Sequence, residues 1–206
     1  MSEEPSIDYV YEDASASHTH AYLWGTVSQL VGTRPEKRIF DLGCGNGAFA
    51  RHLKELGYQV QGVDPSDEGI DQARKADPAL QLEVGNAYEP LHERYGTFPL
   101  LVSLEVVEHV YYPRKYARCV ADLLESGGTA IISTPYHSYL KNLALALSGN
   151  MDTHFTALWD HGHIKFWSVK TLTELFKEQG LKCEKVLRVG RIPVLGKSMI
   201  LLFRKP

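Results

Sequence analysis

A chain of 206 residues with 44% hydrophobic content is long enough for one well-buried core and short for two, so a single domain over residues 1–206 is expected. Lysine plus arginine number 22 against 25 acidic residues, and a net charge of -3 offers no electrostatic footprint for nucleic acid or an anionic membrane. Three cysteines, Cys44, Cys119 and Cys183, are odd in number, far apart and without metal-finger spacing, which is most economically read as reduced thiols.

The chain starts Met1-Ser2-Glu3-Glu4, acidic where a signal peptide would be basic, and its longest late apolar run, Met199 to Phe203, is too short to span a bilayer. A cytoplasmic protein without membrane insertion is expected. Residues 1 to about 14 show no periodicity and read as an arm with Tyr9 and Tyr11 as anchors. A first helix is expected from Ser17 to Val31, with Leu23, Val27, Leu30 and Val31 on one face and Gly32 and Pro35 ending it. Arg38 to Asp41 forms a first strand. Phe49, Leu53 and Leu56 share a face of the next helix, which Gly57 closes. Tyr58 to Asp64 is a second strand, and Ser66 caps a helix that Pro78 stops near Asp77. Leu80 to Val84 makes a third strand.

Leu100 to Leu104 is an almost continuous apolar run, the pattern of a strand buried on both faces. A helix carrying Tyr116, Val120, Leu123 and Leu124 follows, and Gly127-Gly128 turns it into a fifth strand, Thr129 to Ser133. Five strands alternating with helices imply a parallel sheet with right-handed crossovers and helices on both faces. The pattern then breaks for about thirty residues, Pro135 to Lys165, rich in aromatic and histidine side chains; such an insertion reads as an irregular lid. Regularity returns at Ser168, an N-cap, with Leu172, Leu175 and Phe176 on one helical face and Gly180 at the end. Two strands, Cys183 to Val189 and Ser198 to Arg204, are joined too closely for a helical crossover and form an antiparallel closing pair.

The chemistry concentrates at Asp41-Leu42-Gly43-Cys44-Gly45-Asn46-Gly47, a strand end, a glycine turn and a helix start. Three glycines at alternate positions allow a sharp turn and bring backbone N–H groups close to a ligand. A phosphate-binding loop needs Lys-Ser/Thr after the last glycine, whereas Ala48-Phe49 stands here, so a nucleoside triphosphate is excluded. A dinucleotide turn reads GxGxxG; the spacing here is Gly43-x-Gly45-x-Gly47, and Asp41 at the strand end suits a cationic ligand better than a pyrophosphate.

Together with Asp64 ending the second strand, Gly85-Asn86-Ala87 after the third and Ser103-Leu-Glu-Val-Val-Glu-His-Val110 after the fourth, this turn resembles the ordered motifs of class I S-adenosylmethionine-dependent methyltransferases over residues 36 to 134. The resemblance implies an α/β fold, a Rossmann-like doubly wound seven-stranded sheet that is mostly parallel with an antiparallel C-terminal strand and helices on both faces. It implies S-adenosyl-L-methionine as cofactor, S-adenosyl-L-homocysteine as product and a small-molecule acceptor as partner. Asp41, Gly43, Cys44 and Gly45 would meet the methionine end, Asp64 with Pro65 the ribose hydroxyls, Asn86 with Ala87 the adenine, and Leu104 with Glu105 the opposite wall. The family usually has an aspartate just before the fourth strand, and this chain has Phe98-Pro99; the proline should disturb only the beginning of that strand.

Methyl transfer from a sulfonium needs positioning and exclusion of water, and a base only where the acceptor carries a proton. His109, at the end of the fourth strand, and His163, in the run His161-Gly162-His163-Ile-Lys-Phe166-Trp167-Ser168, are the candidate catalytic residues. Phe166 and Trp167 either contact substrate or fasten the lid. The chain also resembles ubiquinone-biosynthesis O-methyltransferases in Glu105-x-x-Glu108-His109 and in Ser133-Thr134-Pro135, which implies that Glu105, Glu108 and His109 could hold a divalent metal. Because Glu105 is also expected in the cofactor pocket, no metal ligand is assigned. The reading is methyl transfer at oxygen of an aromatic or partly apolar metabolite, against a nicotinamide-dinucleotide oxidoreductase or a non-catalytic S-adenosylmethionine-binding regulator. The sequence carries no signal of oligomeric state.

Overall fold

The computed structural model describes residues 20–155, 157–159, 162–190 and 196–206; the N-terminal arm, the proposed helix start at Ser17 and His161 lie outside them. In chain order the elements are α1 (His20–Gly32), β1 (Arg38–Leu42), α2 (Ala48–Glu55), β2 (Gln59–Asp64), α3 (Asp67–Ala76), β3 (Gln81–Val84), α4 (Leu91–Tyr95), β4 (Phe98–Leu104), α5 (Pro113–Leu123), β5 (Leu124–Pro135), α6 (Tyr139–Leu147), α7 (Met151–Phe155), α8 (Val169–Lys177), β6 (Lys182–Val189) and β7 (Ser198–Arg204).

The strands form one seven-stranded sheet in the order β3-β2-β1-β4-β5-β7-β6. β1 to β5 pair in parallel, and β7 runs antiparallel to both β5 and β6. This is the expected Rossmann-like architecture.

Successive strand side chains point to opposite faces, so an unbroken apolar run supplies two cores at once. Phe40, Leu101, Ile132 and Leu201 join the core beneath α5 and α8. Their strand neighbours Ile39, Leu100, Ile131 and Ile200 join the opposite core, where α1, α2 and α3 contribute Leu23, Val27, Leu53 and Ile70. Burying each such side chain contributes roughly 1.5–3 kcal/mol, which is why charge is absent from these runs.

Local details differ from the sequence expectation in four places. Leu56 does not share the buried face of α2; it is the C-cap and 48% exposed. β4 begins at Phe98, with Pro99 inside it, and its register against β5 shifts between Phe98 and Leu100, the irregularity a residue without an N–H imposes. β5 starts at Leu124, so Gly127-Gly128 sits within the strand as an irregularity and not before it. The insertion after β5 is not irregular: it holds α6 and α7, with Ser138 Oγ accepting from Lys141 N at 3.1 Å as N-cap.

Candidate functional site

The order of the sheet reverses between β1 and β4, whose following connections leave in opposite directions. That divergence opens a crevice at the C-terminal strand ends. Two turns face each other there: Gly43 to Gly47 after β1, and Glu105 to Val110 after β4. Their closeness is measured by Gly43, where an added Cβ would lie 2.4 Å from Val106 Cγ2. A buried chain steadies the pair from below: Tyr116 Oη donates to Ser103 Oγ at 2.8 Å, and Ser103 Oγ donates to the carbonyl of Leu42 at 2.6 Å.

Gly43, Gly45 and Gly47 all have positive φ, which only glycine adopts without strain. The N–H groups of this turn, however, are already spent. Gly43 N and Cys44 N donate to Val63 O at 2.8 and 3.1 Å, Gly47 N donates to Cys44 O at 2.9 Å, and Gly45 N donates to Asp64 Oδ2 at 2.8 Å. The expectation that glycine N–H groups present themselves to a ligand is therefore corrected for these four: the glycines supply space, and the polar character of the crevice comes from carboxylates.

Asp41, at the end of β1, is 3% exposed. Burial, and then the charge of Asp64, push its carboxyl up to about 7. Asp64 ends β2 and accepts from Ser66 N at 3.0 Å as well as from Gly45; burial raises its carboxyl, and these two donors oppose the rise. Cys44 is a buried free thiol raised far above its ordinary value by the same burial and the same two acids. Pro65 follows Asp64 into α3. Gly62 of β2 was not foreseen: a Cβ there would approach the carbonyl of Asp41 to 2.6 Å.

Asn86 and Ala87 follow β3, but Asn86 Oδ1 already accepts from Tyr88 N at 3.0 Å, and its N–H donates to Glu89 Oε1 at 2.7 Å. The oxygen expected to meet an adenine is thus engaged in its own turn. Leu104 packs against the core shared with α1 to α3.

Glu105 has φ +56, the only positive φ of a non-glycine among the described residues. Its carboxylate accepts from Ser133 Oγ at 2.8 Å and from Ser198 Oγ at 3.2 Å, and Ser198 Oγ lies 3.1 Å from Tyr22 Oη on α1. Burial raises its carboxyl against these two donors. Glu108 is completely buried. Thr134 Oγ1 donates to its Oε2 at 2.9 Å, while Oε1 has no partner among the described residues. Burial, followed by repulsion from Glu105, keeps this carboxyl protonated well above the usual range.

The lid brings His163 to His109, with ring centroids 4.9 Å apart, and Trp159 lies edge-on to both. One donor atom each from Glu108, His109 and His163 lies within 4.8 Å of the others, so the mixed oxygen and nitrogen set could receive a divalent cation. The cluster differs from the one expected: Glu105 turns to its serines, and His163 takes the third place. Burial and the facing imidazoles lower His163 to about 4. The lid is tied to the same turn by Ile164 N and Lys165 N, which donate to Glu108 O at 3.0 and 2.9 Å, and by Trp167 Nε1, which donates to Val107 O at 3.0 Å. Trp167 is buried as a fastener, whereas Phe166 is half exposed over a cavity.

Val106 and Ser198 are not singled out in the sequence, and Ser133 stands there in a motif without its role as a partner of Glu105. The signal for Ser133 and Ser198 was available: a hydroxyl in an apolar strand requires a buried partner.

The crevice therefore has paired buried acids, a glycine turn with its N–H groups occupied, and steric room that any Cβ at Gly43 would remove. A pyrophosphate would meet carboxylates in place of donors. A ligand with a positive charge and hydroxyl donors fits.

Comparison with known proteins agrees. A family model described as a methyltransferase domain matches residues 15–186. The ubiquinone biosynthesis O-methyltransferase of a Caulobacter species is 38% identical over 116 residues, 54% of this chain and 46% of that protein. The human mitochondrial ubiquinone biosynthesis O-methyltransferase is 31% identical over 166 residues, 77% of this chain and 45% of that protein. The chain thus spans about half the length of these relatives. Among solved structures, magnesium protoporphyrin IX methyltransferase from Synechocystis, with bound S-adenosylhomocysteine, superposes with a TM-score of 0.69 at 16% identity, covering 95% of this chain and 91% of that one.

Proposed function

The chain belongs to the S-adenosylmethionine-dependent methyltransferase family, and from that premise we propose that it transfers a methyl group from S-adenosylmethionine to oxygen of an aromatic or partly apolar small molecule. The observation that carries the cofactor assignment is the acid-lined crevice beside Gly43 to Gly47, with Asp41 buried close to Asp64. Asp41 would face the cationic end of the cofactor and Asp64 its ribose hydroxyls, using the acceptor capacity its two N–H donors leave. Gly43 gives the space. Leu104 and Glu105 would close the opposite wall, with Glu105 fixed by Ser133 and Ser198.

The bound cofactor supplies an electrophilic methyl on a sulfonium whose leaving thioether departs uncharged. The protein's tasks are to orient the acceptor, exclude water and remove the hydroxyl proton. His109 would take that proton, and neutral His163 beside it would hold the hydroxyl and the lid in register. Thr134 anchors Glu108, whose carboxyl burial raises well above the usual range. The free cysteines Cys44, Cys119 and Cys183 suit a reducing compartment, and we place the activity in the cytoplasm.

Calorimetric titration with S-adenosylmethionine and S-adenosylhomocysteine tests the assignment directly. Micromolar-range binding of both is expected, and binding of neither refutes it. An acceptor screen read by formation of S-adenosylhomocysteine then identifies the substrate.

A further inference from the structure

The first residue after β4 is strained. Glu105 holds φ +56, a left-handed conformation that glycine or asparagine adopts more readily than glutamate. Its N–H pins the turn by donating to Ser133 O at 3.1 Å and to Ser133 Oγ at 3.0 Å. Strain that the surroundings keep in place gathers at ligand and catalytic sites, where the position of a side chain matters more than its backbone cost. What the strain achieves here is the placement of a carboxylate at the edge of the crevice, next to Val106, which limits the room at Gly43.

Among the described residues that carboxylate is met by hydroxyls: Ser133 Oγ near the end of β5 donates to Oε1 at 2.8 Å, and Ser198 Oγ at the start of β7 donates to Oε2 at 3.2 Å. A hydroxyl has one hydrogen to give. Ser198 spends it on Glu105, so in the 3.1 Å contact between Ser198 Oγ and Tyr22 Oη the tyrosine is the donor. Burial pushes the Tyr22 hydroxyl above its ordinary value, and the hydrogen stays on it near neutral pH. The result is a one-way chain, Tyr22 to Ser198 to Glu105, that starts on α1. Tyr22 is followed on that helix by Leu23, which is buried in one core with Val27, and Ser198 is fixed in register opposite Pro135 of β5. Both donors therefore stand on rigid elements. Two hydroxyls use about half of the lone-pair sites of a carboxylate, and Glu105 keeps part of its surface open, so acceptor capacity is left for donors of a ligand.

We propose, resting on the methyl-transfer reading, that Tyr22 and Ser198 are positioning residues of the cofactor site: through Glu105 they fix an acceptor for a hydrogen-bond donor of the bound cofactor, and α1 thereby becomes a wall of the site. The test is calorimetric titration with S-adenosylhomocysteine of the full chain and of Ser198→Ala, Tyr22→Phe, Glu105→Ala and their pairwise combinations, each at a temperature where circular dichroism shows it folded. Loss of one hydroxyl from a chain that ends on a charged group should weaken binding about tenfold in Ser198→Ala and about threefold in Tyr22→Phe. Because Tyr22 acts through Ser198, Tyr22→Phe should change affinity by less than about 1.5-fold when residue 198 is already alanine. Both substitutions should be equally muted in Glu105→Ala, which itself should weaken binding at least as much as Ser198→Ala. A merely structural role moves the unfolding temperature and leaves the affinity of the folded protein alone. Parent-like affinity in Ser198→Ala and Tyr22→Phe, or losses that multiply in full in the double variants, would overturn the proposal and leave the methyl-transfer reading standing. Absence of S-adenosylhomocysteine binding in the parent would remove that reading and the proposal together. If Ser198→Ala does not fold, Tyr22→Phe against Glu105→Ala closes the same cycle.

Discussion

Asp64 holds the glycine turn from the side, because its two oxygens accept from Gly45 N and Ser66 N and so join the ends of β1 and β2. Its removal acts twice, on the shape of the turn and on the acceptor that would meet a ribose. Two hydrogen bonds to a charged group are worth about 1.5–3 kcal/mol each. Asp64→Ala should therefore weaken S-adenosylhomocysteine binding by about a hundredfold or more in a calorimetric titration, and an unchanged affinity would remove Asp64 from the site. Gly43 separates two costs of a different kind. Alanine there meets Val106 Cγ2 at 2.4 Å and must also hold φ +84. The left-handed conformation alone costs about 1–2 kcal/mol, and the collision adds about 1–3 kcal/mol. Denaturant titration should show Gly43→Ala strongly destabilised, with Val106→Ala in the same chain restoring the collision part and leaving about 1 kcal/mol unrecovered. Full recovery would mean that the turn can relax its dihedrals.

At the scale of elements, the lid is where sequence and structure part. The strands and the helices against the sheet were legible because burial imposes a period: Leu172, Leu175 and Phe176 mark the inner face of α8, and the Ser168 capping box marks its start. No described residue of α6 or α7 is buried, so their apolar side chains follow no burial pattern that could be read. Only the local signals of Ser138 and a Leu/Ala-rich run were present, and the aromatic residues around them drew the reading elsewhere. The site divides in the same way. Asp41, Gly43, Asp64 and Glu105 stand in sequence motifs at strand ends, whereas Val106, Ser198 and the meeting of Glu108 with His163 depend on how distant segments pack. Trp167 joins lid to turn through its bond to Val107 O, which phenylalanine cannot make. Trp167→Phe should cost about 1 kcal/mol of stability. If the lid orders the acceptor, the same change should raise the acceptor KM several-fold and leave S-adenosylhomocysteine affinity unaltered; a loss of cofactor affinity instead would place the tryptophan's role in the crevice.

Across the whole molecule, two sets of buried titratable groups oppose each other. The acids at the strand ends are raised: Asp41 goes from 3.8 to about 7, and Glu105 and Glu108 rise with it. In the window between its unfolded and folded values the native state holds the extra proton, so the stability Asp41 contributes is complete below about pH 4 and lost by about pH 7. The lid histidines are lowered: His137 and His163 fall from 6.5 to about 4. Here the unfolded chain holds the extra protons, so their contribution is complete above pH 6.5 and lost as the pH falls through 4. Between pH 4 and 6.5 the two sets nearly offset, and the total profile hides both. A single substitution separates them. Asp41→Asn removes one ionisation and leaves the histidines in place; relative to the parent, the variant should gain stability as the pH rises from 5 to 8, by up to about 2.5 kcal/mol, the part of the shift to about 7 that lies above pH 5. Thermal unfolding at both pH values without ligand measures that difference. S-Adenosylmethionine should reverse the order at pH 8, because a cationic ligand favours the ionised carboxylate that the asparagine cannot provide, whereas S-adenosylhomocysteine, without the sulfonium charge, should reverse it less. A variant that tracks the parent at both pH values would show that Asp41 is already ionised in the unliganded fold, and the cation-seeking character assigned to the crevice would then have to come from Asp64 alone.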